Sequence, residues 1–168
     1  MTKAPLEQVT AQYHAICMDA LKGISEVELN WHPPGDMNPI SATLLHLISS
    51  EDFFLNALAQ GKPALWYRDG WNQRLDVKLV PTEDYQGWWD EIKQKPFSLS
   101  AELEYMQAVQ ASTTAFVQGL SEAELSRTVS VFGREQQVID LIATVITHGS
   151  SHAGEITTLR ALMNALSR

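Results

Sequence analysis

Two histidines four residues apart, His148 and His152, interrupt an apolar helical pattern. Val138, Leu141, Ile142 and Val145 lead in, and Ile156, Leu159 and Met163 lead out, at three- and four-residue steps. On a helix His152 falls in the middle of that stripe and His148 near its edge. Residues so spaced stand roughly 6 Å apart on one face. Two imidazoles placed there can point inward and share one divalent metal ion. Gly149, Ser150 and Ser151 between them are small and leave space. Buried imidazoles without partners cost on the order of 1–3 kcal/mol each, and a metal satisfies both. The alternative is a pair of core histidines satisfied by ordinary hydrogen bonds, since five histidines in 168 residues allow an accidental spacing.

A third ligand must come from elsewhere in the chain. His46 lies near the inner face of another apolar helical stretch and could complete a three-nitrogen set. Three neutral imidazoles with an open position suit zinc, nickel or another borderline divalent ion. Such an ion lowers the pKa of bound water or polarises a thiol or carbonyl. Glu51 falls inside an apolar face, and Glu155 follows His152 by three residues. Either carboxylate could orient a histidine or take a proton, or serve as a salt bridge. Other chemistries are excluded. His148-Gly-Ser-Ser-His152 lacks the glutamate of H-E-x-x-H, which removes the metalloprotease motif. Di-iron bundles need Glu-x-x-His pairs, and no histidine here has a glutamate three residues before it. No glycine-rich loop cradles a phosphate, and no motif marks Ser150 or Ser151 as a nucleophile.

Four long helices must position these groups. Leu6, Val9, Tyr13, Ile16, Ala20 and Ile24 keep a helical period from about residue 6 to 24. His14 sits off that stripe and reads as a surface histidine. The second helix is expected to start with Asn38 as cap and Pro39 in the first position, and to run to about Gln60. The third spans about Ser98 to Gln118, and the fourth about Gln136 to Leu166. Ser25-Glu26-Val27-Glu28 and Ser121-Glu122-Ala123-Glu124 are matching capping boxes after the first and third helices. His32, before Pro33 and Pro34, reads as an exposed loop residue. Arg127 to Gln137 reads as extended or turn-like. Residues 61–97 are irregular, with a short helix expected from Glu83 to Lys93. They hold Trp66, Trp71, Trp88 and Trp89, too much aromatic area to leave in water. That connection must pack on the bundle, cover a pocket or meet a partner subunit.

The pattern predicts an all-α chain, a four-helix bundle with a long irregular connection between its second and third helices. Residues 1–168 fit a single domain. The net charge of −8 and the lack of a basic cluster oppose nucleic-acid binding. No apolar run approaches the ~20 residues of a membrane span. The single cysteine, Cys17, reads as a core thiol; with no signal-peptide core at the N-terminus, a cytoplasmic location is expected.

The order and separation of several motifs resemble the DinB/YfiT-like superfamily. They are Trp31-x-Pro33-Pro34-Gly35, then Leu44-Leu45-His46-Leu47 with Glu51, then His148-x-x-x-His152-x-Gly154-Glu155-Ile156. The resemblance spans nearly the whole chain. It implies a helical bundle, up-down-up-down or in the arrangement of that family. It also implies a metal triad at His46, His148 and His152, with zinc or nickel as the usual ion, and often a homodimer. Relatives transfer low-molecular-weight thiols of the bacillithiol or mycothiol type to electrophiles, and others are proposed hydrolases. A small-molecule substrate is therefore expected, with a non-catalytic binding or stress-response bundle as the other reading. Ala153-Gly154 stands where relatives often carry Arg-Gly, which would weaken contact with an anionic substrate group.

Overall fold

A computed structural model describes residues 3–78 and 83–167. The chain is mostly helical, as its periodicity predicts. Helix α1 spans Lys3–Ala20, and the short α2 spans Glu26–Leu29. Helix α3, Ile40–Glu51, continues directly into a π-helix, Asp52–Ala59. The connection holds α4 (Leu65–Arg68), α5 (Trp71–Arg74) and α6 (Tyr85–Gln94). Helix α7 is Leu99–Gly119 and the short α8 is Glu122–Leu125. Strands β1 (Thr128–Val131) and β2 (Arg134–Gln137) lead to α9, Val138–Leu166.

Side-chain bonds set the directions of the long helices. Tyr105 reaches Asp52 and Ser112 reaches Asn56, so residue numbers rise together along α7 and the α3–π segment. Antiparallel helices would carry the second pair roughly 16 Å apart, at 1.5 Å per residue. The two therefore run parallel, and the long connection between them carries the chain back. Likewise Tyr13 packs on Gly149 while Arg160 bonds the Ala20 carbonyl, so α1 and α9 run parallel. Strict up-down-up-down alternation does not fit these pairs.

Both predicted capping boxes form, with reciprocal bonds between Ser25 and Glu28 and between Ser121 and Glu124. The start of α3 differs from expectation. Pro39 is its cap and no side chain bonds the first turn. The buried face of α1 is also rotated from the predicted stripe. Leu6, Thr10, Tyr13, His14 and Cys17 are buried, whereas Ile16 is 43% exposed. The cause is polar: Glu51 offers an acceptor to α1, and His14 turns inward to meet it. The segment read as extended or turn-like is a hairpin in which Thr128 pairs with Gln137 and Val131 with Arg134. The four tryptophans of the connection are buried within the chain. Their packing removes the reason to expect a partner subunit there, and the case for a homodimer rests on the family resemblance. No helix among the described residues is long and apolar enough to cross a membrane.

Candidate metal centre and its pocket

Helix α3 contributes His46, and α9 contributes His148 and His152. All three Nε2 atoms converge. His46 Nε2 lies 3.2 Å from His148 Nε2, which lies 3.2 Å from His152 Nε2. One ligand atom from each falls within 4.8 Å of the other two. The three rings are half-buried. His46 is walled by Trp89, with ring centroids 4.8 Å apart, and by Trp88 at 5.9 Å.

The protonation of this cluster is constrained. Burial first, then the neighbouring His152 and His148, push His46 down to about 3. Burial and His152 lower His148 as well. Both rings are therefore neutral near pH 7. His152 Nδ1 lies 2.9 Å from Glu155 Oε2, so Nδ1 carries a proton and donates it to the carboxylate, and Nε2 is the nitrogen turned to the cluster. His148 Nε2 faces two imidazole nitrogens at 3.2 Å. With a single in-plane site, this nitrogen cannot make a linear hydrogen bond to both neighbours. A cation between them removes that conflict. Zinc with ligand distances of about 2.0–2.1 Å keeps tetrahedral nitrogens roughly 3.3–3.4 Å apart, close to the spacing here. The residues fit a three-nitrogen divalent ion.

Glu155 thus stands behind a histidine, in the orienting position. Glu51 sits differently. Its Oε2 accepts from Tyr13 Oη at 2.8 Å and its Oε1 lies 3.0 Å from His14 Nε2. Its bonds run to α1 and not to a triad histidine. The expectation of a surface His14 is overturned, because this pairing buries the ring to 8% exposure. Gly149 has a matching reason. A Cβ there would lie 2.3 Å from Tyr13 Oη, so the turn between the two histidines is filled by the tyrosine and not left open. The constellation Tyr13–Glu51–His14 braces α1 against α3 beside the ligand-bearing turn of α9. His32 is exposed, as expected, and Cys17 is buried with its thiol pushed up to about 12, chiefly by burial.

A cavity of about 780 Å³ opens beside His46 and His148. Trp66, Trp88, Tyr67, Tyr85, Phe53 and Phe54 supply much of its wall. Trp71 and Trp89 pack elsewhere, on Tyr105 and His46 respectively. Asp52 also lines the cavity and was not singled out by sequence reasoning. It is fully buried. Its oxygens accept from Leu65 N at 2.9 Å, Trp66 N at 2.8 Å, Tyr105 Oη at 2.8 Å and Asn56 Nδ2 at 2.8 Å. The carboxylate therefore holds the first turn of α4, and with it the tryptophan wall. Burial raises its pKa, while these four bonds oppose the rise. The sequence signal was faint: a second acid directly after Glu51, with Asn56 four residues on.

A helical bundle with three histidines converging beside an open aromatic cavity defines the class: a bundle with a candidate His₃ metal centre. The chain belongs to the DinB superfamily, whose family model matches residues 8–156. Among solved structures, the crystal structure of a conserved protein from Enterococcus faecalis is similar at 17% sequence identity. That match covers 96% of each chain with a TM-score of 0.81. It supports the fold. No curated protein matches the chain.

Proposed function

We propose that this protein is a metal-dependent enzyme acting on a small molecule held in the aromatic cavity. His46, His148 and His152 would hold one divalent ion, with zinc or nickel favoured by the nitrogen donor set. The observation that carries the reading is the convergence of three Nε2 atoms at 3.2 Å contacts at the wall of an open cavity. A bound ion would supply Lewis-acid chemistry, lowering the pKa of a water or thiol or polarising a carbonyl. Glu155 keeps the His152 proton on Nδ1, so Nε2 stays available. Trp66 and Trp88 wall the cavity, and Asp52 holds the backbone of Trp66 in place. Resemblance to thiol transferases makes a low-molecular-weight thiol the first nucleophile to test, and water the second.

A specific observation favours a second reading, a non-catalytic binding protein. Glu51 and Glu155 are both engaged, with Tyr13 and His14 and with His152. Neither stands free as a base. One experiment separates these cases. The purified protein is expected to carry one metal per chain, and His148→Ala to lose it. Turnover of electrophiles with added thiol, or of esters and amides without it, should then follow metal content. No metal in the wild type, or unchanged content in the variant, would sink the site. Stoichiometric metal without turnover would favour the binding protein.

A further inference from the structure

The β1–β2 hairpin breaks two local rules at one residue. Val131 pairs with Arg134, so Phe132 and Gly133 are the two central residues of the turn. Both have positive φ, 49° and 79°. A turn of that kind favours Asn-Gly, because asparagine tolerates the left-handed region and a bulky side chain does not. Phenylalanine is also 74% exposed there, which leaves a large ring in water. Strain of this sort, at a position where a small polar residue would serve the fold better, points to a use for the side chain.

The location supplies that use. Phe132 lines the mouth of the cavity that His46 and His148 border. It stacks on Phe53, with centroids 6.1 Å apart and planes at 24°, and meets Phe54 edge-on at 6.2 Å. The aromatic ring set thus continues from the buried tryptophans to the rim. Charge is as informative. Among the described residues lining the cavity there is no lysine or arginine. Its one carboxylate, Asp52, is already held by four donors. An anionic ligand body would be stripped of water with no counter-charge except at the triad itself, and that desolvation is costly.

We propose that the cavity binds a neutral, flat aromatic molecule and that Phe132 is the specificity-determining clamp over its outer face. The inference rests on the candidate site for the direction in which the ligand's reacting group points, towards His46 and His148. It does not depend on the metal for affinity. Aromatic faces would sandwich the ligand body, in the offset or edge-on arrangements that such rings prefer.

The test uses a matched pair of fluorescent probes, N-phenyl-1-naphthylamine and its 8-sulfonate, titrated into protein of measured metal content. The neutral amine should bind with a Kd at least tenfold below that of the sulfonate. Phe132→Asn should weaken the amine by about tenfold, a typical loss for one aromatic contact. The same variant should keep or raise the thermal midpoint and keep its metal, because asparagine suits the turn. Equal binding of both probes, or tighter binding of the sulfonate, would overturn the charge argument. Wild-type affinity in Phe132→Asn would overturn the clamp. A metal-free preparation that still discriminates the probes would count against the metal centre and leave this proposal standing.

Discussion

Glu155 and Glu102 show two opposite fates of a carboxylate in this chain. Glu155 accepts from His152 Nδ1 at 2.9 Å and so selects the tautomer that ligates. Glu155→Gln removes the charge that fixes the proton, and should weaken metal affinity roughly 10–100-fold in a chelator competition, with the fold intact. Glu102 on α7 is fully buried, and neither of its oxygens has a hydrogen-bond partner. Burial pushes its carboxyl well above the usual range, so it is a neutral acid in the fold. The folded protein therefore holds this proton more tightly than the unfolded chain does. Stability from this group must fall as pH rises above the ordinary carboxylate pKa of about 4.3, and go on falling up to the raised folded value. Glu102→Met should raise stability at neutral pH by about 1–3 kcal/mol and flatten that decline, as read by urea melts across pH. The triad histidines were legible because spacing and apolar context are local properties of a sequence. The inward turn of His14 was not, since it depends on Glu51, 37 positions away.

Elements are placed here by single polar anchors. The π-helix begins at Asp52, and this carboxylate ties it to the first turn of α4 and to Tyr105 of α7. Asp52→Asn replaces one accepting oxygen with a donor that opposes Leu65 N or Trp66 N. It should cost about 2–4 kcal/mol in denaturant melts, since a buried bonding network loses a partner. The near-ultraviolet signal of Trp66 should change as α4 loosens. Long helices were readable from period, and the two capping boxes from four residues each. The π-helix was not, because its wider turn has no period distinct from a frayed helix in eight residues. The hairpin was read as extended or turn-like without its pairing, since four-residue strands carry too little alternation to declare a partner.

At the scale of the molecule, the candidate centre joins helices from the two halves of the chain. A ligand that binds only the folded state stabilises it by mass action, about 4 kcal/mol at a thousandfold excess over Kd. Loading with zinc or nickel should therefore raise the thermal midpoint, by roughly 8–16 °C at that excess for a chain of this size. Chelator should reverse the gain, and His148→Ala should abolish it. The sequence predicted the bundle and offered up-down-up-down alternation beside the family's own arrangement; the helix pairs exclude strict alternation. Periodicity reports which face of a helix is buried and carries no information about which way a neighbour runs. That was settled by pairs such as Ser112 with Asn56.

The ligand set is divided unevenly along the chain. His46 belongs to α3, and His148 follows it by 102 residues. During synthesis the first ligand emerges well before the other two, and alone it makes a poor metal site. A tight site appears only once α9 has been made and laid along α3. Metal uptake is then coupled to the end of folding. An ion retained by this chain would certify a finished molecule, and a fragment ending before α9 should leave it to competitors.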